Sequence, residues 1–382
     1  MAARIMAIQL LLWQELAKIN IIDIIISIAV QKYINLVKRL TIFQIQDVNV
    51  KKKPSLKDIA ERVGVSTALV SYVLNNTRKG RVSEEIANKI RKVAEKLQYR
   101  PNQLAKSLKT NRSFTIGLIV ADIANPFSST LVRMIEDEAE KNQYMVIIGS
   151  SDEKAIKQQK LIDLFMDRRV DAIIIAPAEG TEDQLSTLVK NQVPLVIIDR
   201  VVDMEGACMI TINNRQLARE GVECLIKNGY KRIGMIGFKT QLVHLNDRKK
   251  GYKEALKKNR MDPDKELIRE VAVEVNTEQE VIQAIDELMN FIKPVDALFF
   301  ASNKITTFAL KYLNSKRSVY PVSPGLLSFD QSDAVFIYNS PIYYVRQPLK
   351  EMAETAVSLA LQQVTTKKKL NSNIILEGRL VC

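Results

Sequence analysis

The sequence predicts a small all-α headpiece, over about residues 54–100, followed by an α/β core that begins near residue 114. Two observations lead to this fold class. Short amphipathic helical segments fill the first region, and apolar runs of strand length alternate with helical segments throughout the second. The runs are apolar on both faces, which is typical of parallel strands covered by helices on both sides. Because about ten such strands are many for one open sheet, we expect two doubly wound parallel-sheet lobes.

Residues 1–50 precede the headpiece and follow neither pattern. Isoleucine occupies 12 of these positions, yet charged residues interrupt the apolar runs. The longest uninterrupted runs are too short to span a bilayer, and the features of a signal peptide do not occur in order. Three interpretations remain open: an amphipathic helix, a membrane-surface anchor, or upstream sequence translated from a wrongly chosen start. We favour the third, or a poorly packed extension, and assign no function to residues 1–53.

The net charge of +13 is concentrated in one short region. Residues 51–112 contain 16 Lys and Arg against 5 Asp and Glu, a net charge of +11, whereas residues 113–382 contain 35 of each kind. A basic segment of this kind is typical of a surface that binds a polyanion. The charge therefore directs the search for function to the headpiece first.

Cysteine and histidine are scarce, which limits the chemistry available to the chain. Cys208, Cys224 and Cys382 are widely spaced and form no CxxC pattern. We therefore expect a reducing compartment, the cytoplasm, without disulfides or a zinc site. His244 is the single histidine, and the sequence contains no phosphate loop, no GxGxxG after a strand and no nucleophile beside a base. We expect neither an enzyme nor a cofactor.

Residues 55–75 have the spacing of two short helices joined by a glycine turn. Ser55 and Asp58 form a capping-box-like pair at the start of the first helix, and Gly64 follows its end. The second helix is predicted to bury Leu69, Val70, Val73 and Leu74 and to expose Thr67, Ala68, Ser71 and Tyr72. A third helix starts at Ser83, and its predicted inward residues are Ile86, Ile90, Val93, Ala94 and Leu97. This arrangement is typical of a helix-turn-helix.

A plain three-helix bundle would show the same apolar spacing. DNA binding is favoured because that spacing coincides with the turn glycine, a small Ala60 at the helix crossing, a short polar outer face and the local charge of +11. A second helix of this shape fits the major groove, where base edges can be read. We therefore predict that residues 54–100 bind double-stranded DNA.

Several motifs make the resemblance to a known family specific: SLKDIAERVGVS, RVSEEI, KVAEKLQYRPN and DIANPF. Residues 55–110 resemble the headpiece of the lactose-repressor (LacI/GalR) family, and residues 114–380 resemble the effector-binding core of that family. The resemblance implies a transcriptional regulator with a core like the type I periplasmic binding proteins. It also implies that a small molecule bound between the lobes, a sugar or sugar derivative, controls operator affinity.

We place the domain boundaries on this resemblance and on the change in sequence pattern. We expect an extension over 1–53, a helix-turn-helix headpiece over 54–100, a hinge helix over 101–113 and a core over 114–382. Within the core, the N-lobe is expected to contain about 114–211 and 330–345. The C-lobe is expected to contain about 212–329 and 346–382. So short a hinge helix is marginal alone and would order only against DNA and a partner. A flexible linker is the alternative.

The resemblance implies DNA contacts at ten positions. Thr67, Ala68 and Tyr72 occupy base-reading positions, and the remaining candidates include phosphate contacts, which position the protein without reading sequence. These remaining candidates are Ser66, Ser71, Asn75, Arg81, Asn102, Ala105 and Leu108, the last as a minor-groove wedge. The family usually has arginine at the position of Tyr72, so no family operator is carried over; packing of Tyr72 against the third helix is the alternative. Two headpieces related by a twofold axis read a palindrome, so we also expect a homodimer.

Polar residues follow several apolar runs, at the strand ends where doubly wound folds bind ligands. These residues are Asp122, Ser150, Ser151, Asp199, Asn303 and Asp330. With the resemblance, the candidate effector contacts become Asn125, Phe127, Ser150, Asp199, Arg248, Asn303, Lys304 and Asp330. His244 is expected either at the rim of this cleft or in solvent.

Lys304 departs from the pattern of the family, in which an aspartate commonly follows the asparagine. A lysine reverses the charge, so we expect either an anionic effector or a lysine that points away from the cleft. A secreted solute-binding protein with the same two lobes is the alternative function. The headpiece has no place in such a protein.

Overall fold

The computed structural model describes residues 6, 9–10, 29–35, 54–74, 82–99, 110–273, 276–290, 292–316, 324–366 and 370–382. The chain divides into two compact units, residues 1–102 and 103–382, which we describe separately. Within the first 50 residues, the described positions are helical and exposed. No helix in the described part of the chain is both long and apolar enough to cross a bilayer.

The headpiece in the first unit is built from helices α1 (Leu56–Val63), α2 (Thr67–Leu74) and α3 (Glu84–Lys96). Helix α1 starts at Ser55, whose hydroxyl oxygen accepts the N–H of Asp58 at 3.3 Å while the Asp58 carboxylate accepts the N–H of Ser55 at 2.7 Å. It ends at Gly64, which adopts a left-handed conformation with φ 79°. The predicted capping box and glycine turn are confirmed.

A small apolar core holds these helices together, with Ile59, Val70 and Ile90 fully buried. The prediction that Ile86 faces inward is wrong, because its side chain is 37% exposed and Ala87 is buried instead. The inward stripe of α3 therefore runs through Ala87, Ile90 and Ala94, at i, i+3 and i+7. A small residue in the first turn allows α3 to approach its neighbours closely.

The first lobe of the second unit is a parallel sheet covered on both faces. Its strands are β1 (Thr115–Val120), β2 (Met145–Ser150), β3 (Ala172–Ile175), β4 (Leu195–Ile198), β5 (Cys208–Ile212) and β11 (Ser372–Leu376). They lie in the order β11-β5-β4-β3-β1-β2, and every neighbouring pair is parallel. One face packs against α4 (Pro126–Lys141) and α12 (Leu349–Thr366), and the other against α5 (Ala155–Asp167) and α6 (Glu182–Lys190).

The second lobe repeats this architecture. Its strands are β6 (Ile233–Phe238), β7 (Ile268–Val271), β8 (Ala297–Phe300), β9 (Gly325–Phe329), β10 (Tyr343–Arg346) and β12 (Arg379–Val381). Their order is β12-β10-β9-β8-β6-β7, and only β12 runs antiparallel to its neighbour. Helices α7 (Asn214–Lys227) and α8 (Val243–Lys258) cover one face, α9 (Thr277–Met289) and α10 (Asn303–Ser315) cover the other, and α11 (Asp333–Ile337) precedes β10. The predicted pair of doubly wound lobes is confirmed.

The last part of the chain is divided between the lobes differently from the prediction. The segment 330–345, expected in the first lobe, leads into β10 of the second sheet, whereas α12 and β11, expected in the second lobe, belong to the first. The chain therefore passes between the lobes after β5, after β10 and after β11. Short edge strands such as β11 and β12 carry no sequence signal for the sheet they join, because both sheets offer an equivalent edge.

Cys224 and Cys382 form a disulfide, which contradicts the prediction of a chain without disulfides. The two residues are 158 positions apart in sequence, but α7 packs against β12 and brings their Cα atoms to 6.8 Å. Residue spacing cannot show such a pair, since the contact depends on the fold. Cys208 is a free, buried cysteine.

Candidate functional site: a helix-turn-helix surface and an interlobe cleft

The candidate DNA-reading surface is the outer side of α2. Thr67 and Ala68 are exposed there, while Ser71 and Tyr72 are half-buried. Ser66 starts the helix, because its hydroxyl oxygen accepts the N–H of Leu69 at 3.2 Å. The hydroxyl hydrogen of Ser66 remains able to donate to a phosphate.

Five predicted DNA contacts lie outside the described residues: Asn75, Arg81, Asn102, Ala105 and Leu108. Most of the predicted hinge helix lies outside them as well. On the core side, the Asp171 carboxylate accepts the N–H groups of Ser113 and Phe114 at 2.7 and 2.9 Å. These bonds fix the point at which the chain enters β1.

The candidate effector site is a cleft at the carboxyl ends of strands from both lobes. Asp199 after β4 and Asp330 after β9 line it, together with Asn125 and Phe127 at the start of α4. Residues of both lobes line the cleft, at the strand ends where doubly wound folds bind small molecules. Asn125 starts α4 because its side-chain oxygen accepts the N–H of Phe127 at 3.0 Å, and this bond holds the Phe127 ring beside the cleft.

The structure brings together six of the eight residues predicted to contact the effector. These are Asn125, Phe127, Asp199, Arg248, Lys304 and Asp330. Ser150 does not line the cleft, because its hydroxyl donates to Asp152 at 2.6 Å and accepts the N–H of Ile123 at 3.2 Å. Asn303 does not line it either; its side chain is 1% exposed, and neither amide atom has a hydrogen-bond partner among the described residues. Ser151, the further strand-end candidate, is fully buried and donates to backbone carbonyls.

Arg248 joins several elements beneath the cleft. Its Nε donates to Asn214 Oδ1 and its Nη1 to the Ala301 carbonyl, each at 2.8 Å. The same Nη1 lies 3.9 Å from Asp330 Oδ2. Because the guanidinium is buried and satisfied on one side, its position at the cleft is fixed before any ligand arrives.

Asp199 has an unusual environment for a carboxylate. Its backbone adopts φ 69°, and its carboxylate accepts no hydrogen bond from the described residues. Burial raises the pKa of Asp199 to about 6, with Asp330 and Glu153 adding to the effect and Arg200 and Arg248 opposing it. The carboxyl group therefore changes protonation close to neutral pH.

Sequence reasoning missed several polar residues of the cleft. Arg200 donates to both carboxylate oxygens of Glu153, at 2.6 and 2.9 Å, and Gln347 donates to Asp330. The sequence could have indicated Arg200 as a cleft residue, because it directly follows Asp199. Nothing in the sequence indicates Glu153 or Gln347. His244 lies in the cleft wall and not in solvent; desolvation lowers its pKa well below the usual value, so the imidazole is neutral.

Three buried polar atoms in the cleft wall have no hydrogen-bond partner among the described residues. They are Arg200 Nε, His244 Nδ1 and Gln347 Oε1. Buried polar groups in proteins are nearly always paired, so unpaired ones beside a cavity indicate where a ligand can bind. The cleft offers both donors and acceptors, as binding of hydroxyl groups requires.

Comparison with known proteins agrees with both parts of the structure. Residues 55–102 match the family model of bacterial regulatory proteins, lacI family, and residues 116–369 match a periplasmic binding protein domain. A protein of Paenibacillus polymyxa named "Probable HTH-type transcriptional regulator EndR" is 31% identical over 318 residues, 82% of this chain and 92% of that protein.

Two solved structures share the fold. The lac repressor dimer bound to operator and the anti-inducer ONPF has a TM-score of 0.72 at 22% identity, covering 87% of this chain and 98% of that one. The transcriptional regulator CelR in complex with cellobiose has a TM-score of 0.63 at 23% identity, covering 86% of this chain and 98% of that one. The relatives are regulators and not enzymes. The chain therefore belongs to the lacI family of bacterial regulatory proteins and is a DNA-binding transcriptional regulator.

Proposed function

We propose that this regulator binds a palindromic operator as a homodimer and that a sugar or sugar derivative in the interlobe cleft controls its affinity for that operator. The unpaired polar atoms Arg200 Nε, His244 Nδ1 and Gln347 Oε1 in the cleft wall carry the effector part of this proposal. The headpiece binds the DNA in this proposal, and residues 101–113 form the predicted hinge helix. The protein acts in the cytoplasm, where bacterial DNA lies. A solute-binding protein of the same fold would leave the headpiece unexplained.

The base-reading residues in this proposal are Thr67, Ala68 and Tyr72 on α2. Ser66 and Ser71 bind phosphates, and the contacts at Asn75, Arg81, Asn102, Ala105 and Leu108 extend the interface. A tyrosine reads a base edge by one hydrogen bond or by apolar contact, not by the bidentate bond of an arginine. The operator half-site should therefore differ at that base pair from operators read by arginine.

A sugar fits the cleft because it combines hydroxyl groups with an apolar face. Phe127 offers a ring on which such a face can stack, and the unpaired donors and acceptors can bind hydroxyls. Because residues of both lobes contact the effector, its affinity depends on how the lobes are arranged. The effector thereby shifts the population between the arrangements, and with it the affinity for DNA.

Exposed apolar side chains support the homodimer. Met145 and Ile148 lie exposed on β2, an edge strand of the first sheet, and Phe336 and Ile337 lie exposed on α11 of the second lobe. Apolar groups exposed together on an edge strand are typical of an interface. We place the contact between two copies of the chain along β2.

Fluorescence anisotropy with DNA from upstream of the chain's own gene tests the DNA part. We expect specific binding that Tyr72→Ala and Thr67→Ala abolish while weak nonspecific binding remains. Ser66→Ala should weaken binding to all sequences alike, and Glu85→Gln on the exposed side of α3 serves as the control. Failure of the full chain to bind any upstream fragment at low salt, with or without sugars, would refute the proposal.

Sedimentation velocity tests the dimer. Met145→Lys with Ile148→Lys should give a monomer that binds a palindrome no better than a half-site. Ile375→Lys on β11, the opposite edge of the same sheet, is the matched control and should remain dimeric. If both variants behave alike, the interface is placed wrongly.

A further inference from the structure

We propose that Cys224 and Cys382 form a reversible redox switch, which fastens the last connection between the two lobes when it is oxidised and releases it when it is reduced. The inference uses one element of the proposed function, the location of the protein beside DNA in the reducing cytoplasm. Disulfides in that compartment are usually transient and redox-sensing, not permanent supports. The switch can be tested without DNA or effector, so it can fail independently of the proposed function.

The fold brings the two cysteines together and leaves one of them accessible. Their Cα atoms lie 6.8 Å apart, a separation that a disulfide can span without movement of the backbone. Cys382 at the chain end is exposed, whereas Cys224 on α7 is buried. Thiol–disulfide exchange with a molecule in solution therefore has one accessible point of attack, the sulfur of Cys382.

Reduction proceeds by exchange with a dithiol of the cytoplasm. One thiolate of the dithiol attacks Sγ of Cys382, forms a mixed disulfide and releases Cys224 as a thiolate. The second thiolate of the dithiol then attacks its own sulfur in the mixed disulfide, so that Cys382 leaves and the reductant becomes a disulfide. The two cysteines take up the two protons that the reductant loses. Oxidation by oxidised glutathione follows equivalent steps in reverse and yields two molecules of reduced glutathione.

Asn228 stabilises the sulfur that leaves first. Its Nδ2 donates to Sγ of Cys224 at 3.6 Å and to the carbonyl oxygen of the same residue at 2.8 Å. A hydrogen-bond donor favours the thiolate, and a more stable thiolate leaves faster. Cys208 provides the contrast, because it is fully buried and its Sγ donates to the Leu370 carbonyl at 3.5 Å. We expect Cys208 to take no part in the exchange.

The disulfide acts on the connection between β11 and β12. These strands belong to different lobes, and only Glu377 and Gly378 lie between them. On the first lobe, β11 pairs with β5 over five residues, whereas on the second lobe β12 pairs with β10 over three. Because so short an edge strand opens easily, the covalent link to α7 decides whether β12 stays in place.

Release of β12 would affect the cleft through β10. Gln347 directly follows β10, lines the cleft and donates to Asp330. Once β12 has left, β10 keeps β9 as its one remaining partner strand in the described sheet. The redox state therefore sets how firmly this wall of the cleft is supported and how freely the lobes can move about their third connection.

The first test follows the thiols of the full-length protein in glutathione buffers that range from fully reduced to fully oxidised. Maleimide labelling in denaturant, read by intact mass, should fall from three labels to one without a glutathione adduct, and should return to three in the reduced buffer. Cys208→Ser should still lose two labels, and Cys382→Ser should form no intramolecular disulfide. If the pair stays as thiols or carries glutathione in the oxidised buffer, or if its disulfide persists in the reduced buffer, the switch is refuted.

The second test measures what the bond does, by hydrogen exchange of the oxidised and the reduced wild type. Amides of β12 and β10 should exchange at least about tenfold more slowly in the oxidised protein, while those of β11 and β5 keep the same rate. Cys382→Ser, a change at an exposed position, should match the reduced wild type in either buffer. Equal exchange of β12 in both redox states of the wild type would overturn the claim that the bond fastens the connection.

Discussion

The guanidinium carbon of Arg248 lies 3.6 Å from the centre of the Phe329 ring. Arg248 comes from α8, and Phe329 is the last residue of β9. The stacked cation also bonds to Ala301, which follows β8. One side chain therefore ties a helix to the ends of two strands directly beneath the cleft.

Arg248→Leu should lower the free energy of unfolding by about 2–4 kcal/mol, because Asp330 and Asn214 would remain buried without their cationic partner. Urea unfolding followed by circular dichroism measures the change. Arg133→Leu is the control: its side chain is 72% exposed and pairs with Glu136 and Asp137 on the surface, so the cost should stay below about 1 kcal/mol. Equal costs would contradict the bridging role of Arg248.

Asp199→Asn should stabilise the ligand-free protein near neutral pH. Burial raises the pKa of Asp199 from 3.8 to about 6, so the folded state holds this proton more tightly than the unfolded state. The contribution of Asp199 to stability is therefore fully present below pH 3.8 and is lost as the pH rises through about 6. Asparagine keeps the neutral form at every pH.

The advantage of Asp199→Asn should grow by about 1 kcal/mol between pH 5 and pH 7.5 and reach roughly 3 kcal/mol, an upper limit because part of the carboxylate contacts solvent. Urea unfolding at the two pH values provides the measurement. Asp163→Asn, on the exposed side of α5, should show no such trend. A difference that is constant with pH would mean that Asp199 does not titrate in this range.

Gly251→Ala should lower the free energy of unfolding by about 2–3 kcal/mol through overpacking. An added Cβ would overlap the carbonyl oxygen of Arg215, a backbone atom of α7 that cannot move aside as a side chain can. Gly237→Ala provides the contrast, since its nearest neighbours are the Met235 side chain at 3.4 Å and the Ala301 Cβ at 3.6 Å. Chemical unfolding of both variants should give at most about 1 kcal/mol for Gly237→Ala.

Gly64→Ala should destabilise the headpiece by about 1 kcal/mol, because a left-handed φ costs free energy for alanine but not for glycine. Among the described residues other than its chain neighbours, no atom lies within 4 Å of the added Cβ, so the cost is conformational and not steric. Hydrogen exchange of the α1 and α2 amides should show roughly fivefold lower protection. Gly64→Asn should lose less, because asparagine tolerates this conformation; an equal loss would point to another cause.

The features that the sequence predicted best are those with a local physical cause. The capping pair of Ser55 and Asp58 and the turn at Gly64 depend on residues a few positions apart. Asp199 and Asp330 were found because the end of a buried parallel strand is where a polar residue meets the ligand. Each of these signals can be read within one short segment.

The features that it missed depend on contacts between distant segments. The ion pair of Arg200 with Glu153 joins residues 47 positions apart, and Cys224 meets Cys382 across 158 positions. His244 is likewise buried because of the way α8 packs. The sequence alone fits an exposed histidine equally well, since the surrounding segment is polar. The exchange of β10 and β11 between the lobes has the same origin, since either sheet could accept either strand.

The placement of β11 and β12 makes the final eleven positions of the chain unusually important. One of these strands closes the first sheet beside β5 and the other closes the second beside β10. A frameshift or nick shortly after residue 370 would uncover unpaired backbone on both lobes simultaneously, and such edges recruit further strands from neighbouring molecules. We therefore expect a tag or a stop codon introduced shortly after residue 370 to cause insoluble aggregation. Aggregation should appear before any change in the recognition of a metabolite.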